Sequence, residues 1–340
     1  MPHALPGTRP YTLHGLNPSP YSVKMRAILR YRRLPFIWQA TGNPREVAVK
    51  GHLPPVIPVL AFPDGRLMND STPLAYALER EHPGQRSIIP DDPAHAWLSD
   101  LLEDFADEWV TKMMFHYRWF YADDRAFAQT WIITSRDPVM AEAPRRAGMQ
   151  MFNDRQVGRM AMVGCTEQNR PIIEDSYRFV LDTLDSHVRT IPFLFGTRPS
   201  LADFGLFGQL QILSIDPTPM AEMRARAPDV YCWLLRLDDA SGVEGEWLDP
   251  SMPLPQTLTA LLKHCGETYL PFLAANTQAL RDGADEVALE IQGRTYAQPP
   301  FRYQAKCHDA LCNKLAVLGP EVRRRLDPVL EETGCLRYLA

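Results

Sequence analysis

Four consecutive residues near the start of the chain, Ser19-Pro20-Tyr21-Ser22, combine hydroxyl groups with a proline that favours helix initiation. Proline suits the first turn of a helix, so we expect a helix to begin at Pro20, directly after Ser19. The unpaired N–H groups and the positive dipole end of a helix N-terminus favour a bound anion. The Ser19 hydroxyl could therefore hold a thiolate. The simpler alternative is that Ser19 only caps the helix.

Two further motifs downstream could bind a peptide. Pro58 lies in an apolar run that predicts a strand, where proline removes a ladder donor. A cis Ile57–Pro58 bond would turn the backbone of Ile57 outward to pair with an extended peptide, whereas a trans edge-strand proline is the alternative. Asp70-Ser71 opens a later helix, and a carboxylate beside free N–H groups could bind an amino acid's ammonium and carboxylate. Simple capping is the alternative there.

The elements that position these motifs follow the order β-α-β-α-β-β-α. The first helix has an apolar face, and Lys24, Arg26 and Arg30 are expected to lie off that face. This order predicts a mixed sheet with helices packed on it. The predicted elements are strands at Tyr11–His14, Phe36–Gln39, Ile57–Phe62 and Arg66–Asn69, and helices from Pro20, over Pro44–Lys50 and from Ser71 to before Pro83.

From Ala94 onward the strand patterns largely disappear and helical patterns replace them. Prolines and glycines break any single helix between Asp123 and Arg170, so that segment has no definite prediction. Ser200 and Asp203 have the spacing of a capping box at a helix start. The predicted helices lie within Trp97–Phe120, Ile172–Val188, Leu201–Leu213 and Val230–Leu237.

A proline-rich boundary over Asp249–Pro255 precedes a third segment. Within it, Val287–Ala297 resembles a hairpin that turns at Gln292-Gly293. Helical patterns flank the hairpin over Glu267–Leu280 and Tyr303–Leu318. We therefore expect domains at residues 10–83, 94–248 and 255–340. The fold class is α/β plus all-α, with an extra α/β C-terminal extension.

Aromatic residues are concentrated at the start of the helical region. At the chain's 10% aromatic content, about two would be expected in 23 residues, so the eight found over 109–131 are an enrichment. Consecutive aromatic residues cannot all face one side of a helix, so some must point toward a cleft or an interface. Ordinary core packing is the alternative for any one of them. Phe115 and Trp119, four residues apart, are the predicted pocket-lining side chains.

Composition excludes several classes of function. A net charge of −5 argues against a nucleic-acid surface as the main partner. Six scattered cysteines form no C-x-x-C pair, and Cys307, His308 and Cys312 lack a second ligand pair, so no metal site is expected. Met1–Pro10 lacks the apolar run of a signal peptide, and no stretch reaches the ~18 apolar residues of a membrane helix. We expect a cytoplasmic protein with reduced thiols and no membrane partner.

The combination of motifs resembles the glutathione S-transferase family over roughly residues 11–245. Ser19-Pro20-Tyr21 looks like the Ser-Pro-aromatic motif of serine-type classes such as tau, and Ile57-Pro58-Val59 looks like the cis-proline motif. Asp70-Ser71 looks like the acidic-Ser motif, and Gly196–Phe204 resembles the capping motif of the helical domain. The resemblance implies a thioredoxin-like βαβαββα domain followed by an all-helical C-terminal domain. The third segment looks like the tails of some bacterial transferase-like proteins.

The resemblance also implies roles for individual residues. Ser19 would hydrogen-bond the sulfur of glutathione, the co-substrate, although Ser22 or Tyr21 could take that role. The Ile57 backbone would pair with the cysteinyl unit, beside a cis Pro58. Asp70 and Ser71 would bind the γ-glutamyl end, and Lys50 or His52 the glycyl carboxylate. The residues implied at the glutathione site are Ser19, Tyr21, Lys50, Ile57, Pro58, Asp70 and Ser71, and those at the acceptor pocket are Tyr21, Phe115 and Trp119.

The expected activity is glutathione transfer, in which the activated thiolate attacks a hydrophobic electrophile. Glutathione-dependent ether cleavage, dehalogenation and isomerisation use the same thiolate and stay open as subtypes. The alternative is a catalytically silent transferase-like interaction or regulatory protein, which the extra segment favours. A metaxin-like import component is a third reading, for which a membrane anchor is missing. The expected partners are glutathione, a hydrophobic electrophilic small molecule and a second copy in a homodimer.

Overall fold

The computed structural model describes residues 9–84 and 86–339. The prediction that Met1–Pro10 lacks a signal peptide falls mostly outside these residues. Among the described residues, no helix has the length and apolar character needed to cross a membrane.

The N-terminal part has a thioredoxin-like arrangement, as predicted. Its sheet has the strand order β2-β1-β3-β4, in which β1 pairs parallel with β2 and antiparallel with β3. The third strand pairs only from Val59, so it is shorter than the predicted Ile57–Phe62. The elements are β1 (Tyr11–His14), α1 (Pro20–Tyr31), β2 (Phe36–Gln39), α2 (Pro44–Lys50), β3 (Val59–Ala61), β4 (Leu67–Asn69) and α3 (Ser71–Glu81).

The helical region follows the predicted pattern. A π-helical turn over Ala106–Val110 joins its first two helices into one long rod, and two helices occupy the segment that had no definite prediction. The elements are α4 (Pro93–Phe105), α5 (Thr111–Phe120), α6 (Ala122–Arg136), α7 (Glu142–Val157), α8 (Arg170–Val188), α9 (Leu201–Leu213), α10 (Pro217–Arg226) and α11 (Pro228–Asp238).

The predicted capping box at the start of α9 is confirmed. The Ser200 hydroxyl accepts from the Asp203 N–H at 3.5 Å, and Oδ2 of Asp203 accepts from the Ser200 N–H at 2.8 Å. The second carboxylate oxygen accepts from the Leu194 N–H at 2.9 Å. Burial raises the pKa of this carboxyl to about 6. The box therefore anchors the preceding loop as well as the helix, and α9 packs against α1 and α4.

The extension is mixed α/β, as predicted. Its hairpin turns at Gln292 and Gly293, whose φ values of 52° and 73° are typical of a type I′ turn. The elements are α12 (Gln256–His264), a π-helical turn (Cys265–Tyr269), α13 (Leu270–Asp282), β5 (Val287–Ile291), β6 (Arg294–Gln298), α14 (Arg302–Ala316) and α15 (Pro320–Glu332).

The extension shares a hydrophobic core with the helical region. The buried Trp109 ring lies 5.7 Å from the Phe272 ring and 5.6 Å from the Tyr296 ring, measured between centroids. Phe105 contacts Tyr269 in the same layer at 5.9 Å. Trp109 therefore belongs to the hydrophobic core and does not line the cleft. Core packing was the alternative to a pocket-lining role for each aromatic residue of 109–131.

Candidate functional site

All of the predicted site residues except Lys50 and Pro58 line a cleft made of two adjoining chambers. The serine chamber, of about 340 Å³, is lined by Ser19 and by apolar side chains of α5 and α6. The acidic chamber, of about 580 Å³, is lined by Asp70 and by carboxylates of the α4–α5 rod. The residues that line both chambers are Tyr21, Val56, Ile57, Thr111 and Phe115.

Ser19 is the N-cap of α1. Its φ of −102° is extended, and its hydroxyl oxygen accepts a hydrogen bond from the Ser22 N–H at 3.3 Å. Because the Ser19 oxygen accepts in this contact, the hydroxyl hydrogen can still be donated to a ligand in the serine chamber. Capping and ligand binding are therefore compatible at this residue.

The two alternative hydroxyls are placed differently. Ser22 is fully buried and lines neither chamber. Tyr21 donates its hydroxyl hydrogen to the Asp107 carbonyl oxygen at 3.0 Å. Burial raises the pKa of Tyr21 well above its usual value. Ser19 is thus better placed than either neighbour to donate to a sulfur atom.

The Ile57–Pro58 peptide bond is cis, as the resemblance implied. Ile57 lies at the boundary of the two chambers. Within the described part of the chain, the N–H and C=O of Ile57 form no backbone hydrogen bond. They are therefore free to pair with an extended ligand backbone.

Asp70 and Ser71 stand at the start of α3, with different surroundings. Asp70 has a φ of 75°, a left-handed conformation that costs a non-glycine residue roughly 1–3 kcal/mol and is concentrated at functional sites. Its carboxylate accepts a hydrogen bond from the Tyr303 hydroxyl of α14 at 3.0 Å, and burial raises its pKa. Ser71 is 3% exposed and donates to Asp107 Oδ2 at 3.3 Å. The Ser71 hydroxyl is thus committed to protein partners.

A buried ion network beneath the cleft was not predicted. Lys24 is fully buried, so the expectation that it lies off the packed face of α1 is wrong. Its Nζ lies 2.5 Å from Glu103 Oε1, 2.7 Å from Asp107 Oδ2 and 3.4 Å from Ser71 Oγ. These contacts join α1 to α3 and to the α4–α5 rod. The two carboxylates compensate the positive charge of the buried lysine.

The acidic chamber is closed by the extension. Tyr303, Gln304, Lys306 and Cys307 of α14 line it opposite α3. On the rod, burial raises the pKa of Asp104 to about 7, and Tyr269 donates to that carboxylate at 2.6 Å. Carboxyl groups with raised pKa values in a cleft are typical of functional sites.

The predicted acceptor residues lie on the other side of the cleft. Phe115 is half-buried and lines both chambers, whereas Trp119 is 1% exposed and forms a wall of the serine chamber. The Trp119 ring packs 5.8 Å from that of Phe152, which also lines the chamber. Lys50, in contrast, is exposed at the end of α2 and lines neither chamber, and His52 likewise lies outside them.

Residues 13–86 match the family model described as the glutathione S-transferase N-terminal domain. This segment is therefore similar to the N-terminal domain of glutathione S-transferases. It contains every residue that the resemblance placed at the glutathione site. The matched segment supplies part of the lining of each chamber, and residues outside it supply the rest.

The chain is also similar to several solved structures. The chain is 18% identical to a tau-class glutathione S-transferase from mango, covering 75% of this chain and 97% of that one with a TM-score of 0.43. It is 19% identical to the β-etherase LigF from Sphingobium sp. strain SYK-6, covering 68% and 95% with a TM-score of 0.49. FzlA from C. crescentus is 20% identical, with coverages of 67% and 88% and a TM-score of 0.44. No curated protein matches the sequence.

Proposed function

We propose that this protein is a glutathione-dependent transferase that uses Ser19 to stabilise the glutathione thiolate. One observation carries the proposal: three motifs separated along the sequence line a single cleft, so that one extended tripeptide with a central thiol can reach all three. Asp70 lies in the acidic chamber, Ile57 at the junction and Ser19 in the serine chamber. Glutathione would lie along this line with its γ-glutamyl ammonium near Asp70.

The chemistry of this site is thiolate stabilisation. The N-terminus of α1 and the Ser19 hydroxyl both favour negative charge on the bound sulfur, so the thiol proton is released to solvent on binding. The thiolate then attacks an electrophilic carbon in the serine chamber. A carbon–sulfur bond forms, and the leaving group departs with its electron pair. Phe115 and Trp119 would position the apolar part of the acceptor.

The decisive experiment measures the thiol pKa of bound glutathione by its thiolate absorbance in wild type and in Ser19→Ala. A charge-assisted hydrogen bond contributes ~1.5–3 kcal/mol, so we expect the bound thiol pKa to rise by about 1–2 units in the variant. The transfer rate to 1-chloro-2,4-dinitrobenzene at pH 6.5 should fall in parallel.

Ser22→Ala is the matched control, because Ser22 is buried three residues away and lines neither chamber. It should leave the bound thiol pKa unchanged. Failure of wild type to bind glutathione would refute the proposed function. Binding with the same thiol pKa in Ser19→Ala would refute only the role of Ser19.

A catalytically silent glutathione-binding protein is the second candidate. The Tyr303–Asp70 hydrogen bond favours it, because a residue of the extension already occupies a group expected to receive the ligand's ammonium. This candidate predicts glutathione binding without turnover of any tested electrophile. Homodimerisation, expected from the resemblance, is tested separately by the mass of the protein in solution with and without glutathione.

A further inference from the structure

Four arginines lie near one another beside the serine chamber, and we call them the arginine cluster. Arg45 is on α2, Arg136 is the last residue of α6, Arg155 is on α7, and Arg159 follows α7. In the described part of the chain, none of the four forms an ion pair with a carboxylate. In contrast, Arg146, on the same helix as Arg155, pairs with Glu142 at 2.7 Å.

Among the described residues, no carboxylate pairs with the arginine cluster to neutralise its positive charge. Burial lowers the pKa of the Arg45 guanidinium, and the positive charges of the other three arginines lower it further. The nearby acids are held by neutral amides: Glu46 accepts from Asn43 at 2.9 Å, and Asp154 accepts from Gln150 at 2.8 Å. Like charges held together without a counter-charge raise the free energy of the folded chain, and a bound anion would relieve this repulsion.

The cluster opens into the site. Arg45 and Arg136 both line the serine chamber that Ser19 lines. The α6 end is fixed against the loop before α2, because the Gly42 N–H donates to the Arg136 carbonyl at 2.9 Å. The Arg136 guanidinium also lies 5.2 Å from the centre of the Phe152 ring. Cationic groups therefore stand directly beside the apolar wall of the chamber.

This arrangement suits a ligand that has both an apolar body and an oxyanion. We propose that the arginine cluster binds a carboxylate, sulfonate or phosphate group of the acceptor, so that the substrates are anionic aromatic or apolar electrophiles. The inference rests on the proposed function and narrows its substrate class. The glycyl carboxylate of glutathione has the same chemistry, but it supplies one negative charge to a cluster with four positive charges.

The test compares S-(4-carboxybenzyl)glutathione with S-benzylglutathione by calorimetry, in wild type and in Arg136→Gln. Wild type should bind the carboxylated conjugate more tightly. The variant should lose on the order of tenfold affinity for it, but less than twofold for the benzyl conjugate and for glutathione. Arg45→Gln should behave in the same way, and Arg146→Gln, an exposed arginine on α7, should change none of these affinities.

An independent arm uses 8-anilinonaphthalene-1-sulfonate, whose fluorescence reports binding without glutathione. Its affinity should fall about tenfold in Arg136→Gln and should decrease with added salt in wild type. An equal loss for glutathione and both conjugates would assign the cluster to the glycyl carboxylate and overturn the inference. Unchanged affinities for the sulfonate and the carboxylated conjugate would also overturn it. If glutathione fails to bind while the sulfonate binds through Arg136, the anion site stands and the transferase proposal fails.

Discussion

Lys24→Met tests whether the buried ion network stabilises the proposed glutathione site. The substitution removes a fully buried cation that contacts Glu103 at 2.5 Å and Asp107 at 2.7 Å. Two charge-assisted hydrogen bonds are lost, and two buried carboxylates are left without a counter-charge. Breaking a buried pair in this way costs about 3–5 kcal/mol, so we expect the free energy of unfolding to fall by that amount at pH 8.

The expected loss depends on pH. Burial already raises the pKa of Asp107, and without Lys24 that carboxyl can avoid an unpaired charge only by binding a proton. Protonation is easier at pH 5, so the loss should be smaller there than at pH 8. Urea unfolding of wild type and variant at both pH values measures the difference, and glutathione affinity should fall as α1 and α3 lose their common contact.

Two further variants make the experiment decisive. Lys263→Met, which removes an exposed lysine 3.8 Å from Glu267, should cost less than about 0.5 kcal/mol. Adding Glu103→Gln and Asp107→Asn to Lys24→Met should restore most of the lost stability, because neither carboxylate that paired with Lys24 is then left charged. A loss below about 1 kcal/mol for Lys24→Met, or an equal loss at pH 5 and pH 8, would refute the reasoning.

Three other substitutions have definite expectations. Burial raises the pKa of Asp104 to about 7, so folding favours the protonated form of this carboxyl. The stability that the protonated form provides is lost as pH rises from 4 through 7. Asp104→Asn should therefore raise the urea midpoint at pH 8 but not at pH 4. Asp203→Ala leaves two buried backbone N–H groups unpaired and should cost about 3–5 kcal/mol, measured by thermal unfolding. Tyr303→Phe removes the hydrogen bond to Asp70 and should change glutathione affinity without changing the affinity for 8-anilinonaphthalene-1-sulfonate.

The sequence could predict the elements whose patterns are local. Periodicity and turn chemistry located the first seven elements, the Ser200 capping box and the hairpin at Gln292-Gly293, because each depends on residues close together in the chain. The β3 strand was predicted too long, since apolar character alone does not show where ladder pairing begins. The two helices within 123–170 were not predicted, because Pro144 and Gly148, residues that disfavour helices, lie inside α7.

The parts of the site that depend on distant contacts could not be predicted. In the local sequence pattern, Lys24 resembles an exposed helix residue. Its partners Glu103 and Asp107 are distant in sequence and contact it only in the folded chain. The same holds for Tyr303, which reaches Asp70 across 233 residues of sequence. The sequence gives a partial indication of the arginine cluster, since Arg155 and Arg159 are four residues apart, but Arg45 and Arg136 join them only through tertiary packing.

Because α14 forms one wall of the acidic chamber, the chamber can form only after that helix has been synthesised. A ribosome that adds about 5–20 residues per second needs roughly 10–50 s to pass from Asp70 to Tyr303. During that time, the N-terminal sheet and α1 can leave the ribosome while their opposite wall is still untranslated. Every nascent or prematurely terminated chain that ends before Phe301 therefore lacks the acidic chamber, although it carries all three N-terminal motifs.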